Sequence, residues 1–260
     1  MKTMKLSDFH LVDISPWPLM MSLTTANTIL SLYIKMNFLS CLLLMTISMI
    51  FVFFLWSRDI MRESTFQGMH PLKVQLSLKY GMILFITSEV MFFLSFFWTF
   101  FHSALSPTNE IGNSWPSWGV EPINPFGIPL LNTLVLVSSG VSITYSHHSM
   151  LNQNFNFTIL WVVITVLLGG YFTILQLMEY MTSSFSIMDS VYGSIFFIST
   201  GFHGIHVLVG TLMILYSLIR LFSFQFSSAH HLMFEFSCWY WHFVDLIWLF
   251  LFLSIYWWGF

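Results

Sequence analysis

The sequence predicts an all-α membrane protein, and three observations carry that prediction. Charged residues are only 7% of the chain, where soluble domains carry about 25%. Hydrophobic residues are 57%, with a mean hydropathy of +0.79. The apolar residues also fall into runs near the ~20 residues that a helix needs to cross ~30 Å of hydrocarbon. With so few charges the chain has no means of covering its apolar surface in water, so the bilayer is its solvent. The net charge of −3 is too small to point to nucleic acid or acidic partners.

Seven runs qualify as spans, read as one polytopic membrane domain over residues 1–260, with helices 1–2 in about 16–66 and helices 3–7 in about 72–257. The first, Pro16–Ile34, is the weakest because Thr24, Thr25 and Asn27 interrupt it. The second is Leu39–Ser57. The third is built on Tyr80–His102 and begins near Leu72, with one carboxylate, Glu89, near its middle. The fourth, Pro129–His147, carries Ser138, Ser139, Gly140 and Ser142, small residues that let another helix come close. The fifth is Phe157–Tyr180, and the sixth, Val191–Phe222, has a small pair at Thr200 and Gly204. The seventh, Leu232–Tyr256, has Trp239, Tyr240 and Trp241 at one end and Tyr256, Trp257 and Trp258 at the other. Their separation, roughly 27 Å at 1.5 Å per residue, suits aromatic anchors at both interfaces.

Basic residues set the orientation. Lys2, Lys5, Arg58, Arg62, Lys73, Lys79 and Arg220 fall on one side and Lys35 on the other. The connection from Ser103 to Ile128 has no Lys or Arg and holds Glu110, Glu121, Trp115 and Trp118. The N-terminus is therefore expected on the positive side and the C-terminus across the membrane. The N-terminal stretch carries Asp8 and Asp13, is not Arg-rich and lacks a small-residue cleavage site, so neither a secretory signal nor a transit peptide is expected.

Glu89 is the first candidate for chemistry. A charge at mid-membrane costs at least ~2.5–3.5 kcal/mol. Its helical neighbours Phe85, Ile86, Phe92, Phe93 and Phe96 offer an anion nothing. The carboxyl is expected to be protonated or satisfied from another helix, either for packing or for proton or substrate handling. The ten histidines raise the question of a metal or haem. His147 and His148 are adjacent, as are His230 and His231, and adjacent helical side chains point about 100° apart, so neither pair jointly holds one metal. All four lie at span ends, where exposure is expected. His203 and His206 share a face but have no Cys or carboxylate at matching spacing, and no Glu-x-x-His occurs. Cys41 and Cys238 match no metal or redox spacing. No metal ligand is therefore assigned. His242 and Asp245, three apart on the seventh span, are a candidate hydrogen-bond relay or a structural contact.

Five strings carry a resemblance: WSRDIMRESTFQGMHP (Trp56–Pro71), YGMILFITSEVMFF (Tyr80–Phe93), LLNTLVLVSSGVSITYSHHS (Leu130–Ser149), VYGSIFFISTGFHGIHVLVG (Val191–Gly210) and WYWHFVDLIWLFLFLSIYWWG (Trp239–Gly259). In this order they resemble the mitochondrial cytochrome c oxidase subunit III family, from about Pro16 to the C-terminus. The first span and the Asn152–Phe157 connection match poorly, and Ser57 stands where the family often has a second Trp. The resemblance implies seven transmembrane helices in a two-helix plus five-helix arrangement with a V-shaped, lipid-filled cleft. It implies a non-redox core subunit of respiratory complex IV in the mitochondrial inner membrane, its positive side being the matrix. Such a subunit stabilises subunit I, supports its proton uptake and protects the oxygen-reducing centre during turnover. No catalytic residue and no cofactor is implied in this chain. Haem and copper belong to partner subunits, and structural phospholipids, cardiolipin among the candidates, belong to the cleft. Trp56, Arg62, Glu63, His70 and Arg220 are the implied lipid-binding residues. If the second and sixth helices face each other across the cleft, Arg62 and Arg220 share one membrane depth, where the guanidinium fork suits phosphate oxygens. The plainer reading pairs Arg62 with Asp59, or Arg58 with Glu63, and lets Arg220 snorkel. The alternative function, an autonomous proton-coupled transporter using Glu89, calls for inverted repeats and paired broken helices, and the sequence shows neither.

Overall fold

The computed structural model describes residues 14–33, 39–109 and 112–260. Lys2, Lys5, Asp8, Asp13, Lys35 and Glu110, which entered the reading of the termini and orientation, lie outside them, as does the side chain of Cys41. Among the described residues there are seven helices and no strand. Six are long and apolar enough to cross a membrane. The first, α1 (Trp17–Tyr33), has 17 residues and stays below that length.

The chain divides into two compact units, residues 1–79 and 80–260. The first holds α1, α2 (Leu39–Thr65) and the start of α3 (Leu72–Leu105). The polar residues that weaken the first span turn their hydroxyls back onto the helix: Thr24 and Thr25 both donate to the Met21 carbonyl, and Thr28 to that of Thr25. Trp17 Nε1 donates to Asp59 Oδ2 at 2.6 Å and ties α1 to α2. The second helix passes its expected end at Ser57 and runs to Thr65. In its polar last turns the hydroxyls of Ser57, Ser64 and Thr65 are satisfied by carbonyls one turn back and Arg58 pairs with Asp59 at 3.2 Å.

The second unit holds the rest of α3, α4 (Ile128–Leu151), α5 (Phe155–Thr182), α6 (Val191–Phe222) and α7 (Leu232–Leu251), which ends in a π-helical turn at Phe252–Trp257. Local sequence explains the starts: Pro129 sits in the first turn of α4, and the Ser190 side chain accepts from Gly193 N at 3.0 Å to cap α6. Helices α4 to α7 form a closed ring of neighbours, α4 on α5, α5 on α6, α6 on α7 and α7 on α4. The ring is filled by Trp241, Trp248, Phe172, Phe196 and Phe234, all buried. The body of α3 meets α6 and α7 through aromatic edges: Phe92 on Phe202, Phe93 on Phe243, and Phe97 on Phe250. Outward-facing side chains such as Leu84, Met91, Leu94 and Trp98 are exposed apolar surface, suited to lipid or to a neighbouring membrane subunit.

Two expectations are corrected. Two of the three aromatic residues at the start of α7 are not lipid anchors: Trp241 is fully buried, Tyr240 nearly so, and Trp241 Nε1 donates to Ser139 Oγ at 2.9 Å, while Trp239 is half-buried. At the other end only Trp257 and Trp258 stay exposed, whereas Tyr256 is buried. An indole N–H inside a bundle needs an acceptor, and the small stripe of α4 supplies one. The second concerns Gly204, where an added Cβ would meet nothing within 4 Å. Close approach occurs instead at Gly169 and Gly210, where an added Cβ would fall 2.7 Å and 2.9 Å from the Trp241 ring.

Candidate functional site

Glu89 is satisfied from another helix. Its Oε2 lies 3.1 Å from His206 Nε2, joining α3 to α6. The other imidazole nitrogen, Nδ1, is 2.6 Å from the Phe202 carbonyl. A carbonyl only accepts, so Nδ1 carries the proton. A neutral His206 then presents a bare Nε2, and a proton between the two groups belongs either to the carboxyl or to the imidazole. With one such proton the pair is neutral in either arrangement, and a neutral pair avoids the cost of a bare carboxylate at mid-membrane. The walls are aromatic: Phe92, Phe93, Tyr240 and Phe243 surround the imidazole, with ring centroids 5.0–6.5 Å away. The Glu89 side chain keeps 24% of its surface exposed, so the pair is reachable from outside this chain.

His203 and His206 share a helix but not a site. His203 is buried, with Nε2 3.3 Å from the Val244 carbonyl, while His206 faces α3. His242 Nδ1 and Asp245 Oδ2 stand 3.7 Å apart, an electrostatic contact beyond hydrogen-bond range. Asp245 packs instead against Gly140, where a Cβ would fall 2.5 Å from Oδ2. The lipid candidates divide between the units. In the first, Arg62 is exposed and lies 4.0 Å from Asp59, Trp56 and Glu63 are half-buried, and the His70 carbonyl accepts from Gln75 Nε2. In the second, Arg220 is buried, donates from Nε to Gln225 Oε1 at 3.2 Å and covers the Phe226 ring at 4.4 Å.

One carboxyl was missed. Glu179 is 2% exposed, and its Oε1 accepts from Tyr256 OH at 2.6 Å. Gln176 Nε2 reaches the same hydroxyl at 3.5 Å, and Asn132 Nδ2 reaches Gln176 Oε1 at 3.5 Å. Glu179 Oε2 and Asn132 Oδ1 have no partner among the described residues. Tyr256 lies within the π turn at Phe252–Trp257, and such turns are frequent at functional sites. Sequence reading passes Glu179 over because it lies at a span end, where a carboxylate looks solvated. The available signal was Gln176 one turn earlier, a second polar side chain on the same face. Among the described residues no three His, Cys, Asp or Glu side chains converge as a metal-binding group.

Comparison with known proteins is consistent over nearly the whole chain. The family described as cytochrome c oxidase subunit III matches residues 7–260. Proteins named cytochrome c oxidase subunit 3 are similar throughout: that of Coturnix japonica is 53% identical and that of Pisaster ochraceus 55%, each over 96% of this chain and 97% of its own length. The protein of that name from Aedes aegypti is 54% identical over the same shares.

Proposed function

This chain belongs to the cytochrome c oxidase subunit III family, and we propose that it acts there as a non-redox support for the subunits that reduce oxygen. It is a multi-pass membrane subunit of complex IV, an oxidoreductase of the respiratory chain. On this reading subunit I is its main neighbour. Haem and copper are held by partner subunits, and this chain contributes packing, bound phospholipid and help with proton uptake. The observation that carries the proposal is the family match over residues 7–260.

The proposal includes the finer arrangement expected from sequence: two helices and five helices flanking a lipid-filled cleft in the mitochondrial inner membrane, the N-terminus in the matrix and the C-terminus in the intermembrane space. Trp56, Arg62, Glu63 and His70 on the first unit, and Arg220 on the second, are proposed phospholipid contacts, cardiolipin being the candidate with most anionic oxygens. The burial of Arg220 over Phe226 supports a fixed guanidinium, which is pre-organised to donate to phosphate. For Glu89 we propose a supporting part in proton uptake, because its partly exposed carboxyl lies 3.1 Å from the His206 imidazole on another helix.

Co-purification tests the reading. An affinity tag on this chain should bring down haem- and copper-bearing partners in fixed ratio, while the separated chain shows no haem absorption. Recovery of the chain alone, or haem remaining with the separated chain, contradicts it.

A further inference from the structure

The fold brings together two histidines that lie far apart in sequence, one from each adjacent pair. His147 Nε2, near the end of α4, lies 3.3 Å from His231 Nε2, at the start of α7. From this geometry we propose that His147 and His231 form a binding site for a divalent transition metal, with Zn²⁺ the ion whose preferences it fits.

Two imidazole nitrogens on a tetrahedral Zn²⁺, each at about 2.0–2.1 Å, stand about 3.3–3.4 Å apart. The observed separation matches that spacing, and the ion enters once the two rings turn so that both Nε2 lone pairs aim at one point beside the line that joins them. The rings are inclined at 62° with centroids 5.4 Å apart, so they are edge-on and not stacked. His231 has the outer support typical of a metal-ligating imidazole: its Nδ1 lies 2.9 Å from the Ser227 carbonyl. That carbonyl fixes the proton on Nδ1 and leaves Nε2 with a lone pair. His231 is buried and opens α7, and the His147 ring packs edge-on against Phe234 at 5.9 Å, so both ligands are held in place. The two connections at this end are tied together by Gln153 Nε2 donating to Ser228 Oγ at 3.3 Å.

In the metal-free pair His147 Nε2–H donates to His231 Nε2. Metal binding needs His147 in its other tautomer, with the proton on Nδ1, so no net proton is released. The neighbouring His148 is turned away, with Nδ1 on Asn152 Nδ2 at 3.2 Å. Among the described residues no third His, Cys, Asp or Glu completes the set. Water or a donor from an adjoining subunit fills the remaining positions, and a chelator strips the ion. Sequence spacing pointed away from metal because each adjacent pair was judged by itself. Crossing the pairs is a consequence of α4 and α7 being neighbours.

The test uses the intact complex containing this chain, crystallised and equilibrated with ZnCl2, with anomalous diffraction recorded at the zinc edge. The expected result is a peak about 2.0–2.1 Å from both Nε2 atoms, lost in His231→Gln and retained in His148→Asn. His147→Gln should lose it as well, which covers the case of one variant failing to assemble. The proposal is overturned by the absence of a peak between the two rings while other zinc sites in the same crystal fill. It is also overturned by a peak there that persists in either Gln variant. The first result would mean a plain imidazole–imidazole hydrogen bond.

Discussion

Tyr256 is a single hydroxyl on which a buried carboxyl depends. It donates to Glu179 Oε1 at 2.6 Å in a place where Glu179 Oε2 has no partner among the described residues. Removing one partner of a buried polar group costs about 1–3 kcal/mol, more when the group is charged. Tyr256→Phe should therefore lower the thermal stability of the second unit by about that amount, read as an earlier loss of tertiary signal in detergent. Glu179→Gln keeps an oxygen for the Tyr256 hydroxyl and should change stability far less. Equal losses in both would mean that the hydrogen bond does not hold this corner. Glu89 was legible in the sequence as an acid needing a partner, because nothing within a turn could serve it. Its partner was not, since His206 is more than a hundred positions away and spacing along one helix says nothing about which helices meet.

Among the helices, the indole of Trp241 is wedged tightly between α5 and α6. Gly169 and Gly210 leave room for it, and a Cβ at either would fall under 3 Å from ring carbons that cannot swing away. Overpacking of this kind costs about 1–3 kcal/mol. Gly169→Ala is expected to destabilise the bundle on that scale, while Gly204→Ala, where nothing lies within 4 Å, should be neutral or slightly favourable through helix propensity. Thermal unfolding of the two variants side by side checks this. The existence and order of the helices were readable from the apolar runs, and α6 begins and ends where the sequence reading put it, at Val191 and Phe222. The seventh was harder: an aromatic cluster near a span end reads as an interfacial belt, and only the ring of helices reveals that Trp241 and Tyr256 point inward. Small residues likewise mark close packing only when the facing helix is known, which is why Ser139 and Gly140 fit and Gly204 does not.

At the scale of the whole molecule, the proposed topology puts the connection between α3 and α4 in the intermembrane space, opposite Lys73 and Lys79. A cysteine placed at Trp118, an exposed position of that connection, should react with a membrane-impermeant thiol probe in intact mitochondria whose outer membrane has been opened. One placed at Lys73 should react only after the inner membrane is broken. The reverse pattern inverts the topology. Composition alone identified a membrane protein, and five sequence strings identified a family. No residue pattern pointed to oxygen reduction, because the proposed role leaves that chemistry to other chains.

The account's central claim is that this chain sustains oxygen reduction without taking part in it. The time course of oxygen consumption by the purified complex, with Glu89→Gln against the unaltered chain, tests this most directly. Gln preserves shape and can donate to His206 Nε2, but it removes the ionisable carboxyl. The account predicts an initial rate within about threefold of the unaltered complex, since no transition-state contact is lost, followed by a clearly faster decline during sustained turnover. An initial rate reduced by orders of magnitude would place this chain within the chemistry itself and contradict the claim. A decline indistinguishable from that of the unaltered complex would contradict it from the other side, by showing that the Glu89–His206 pair supports nothing.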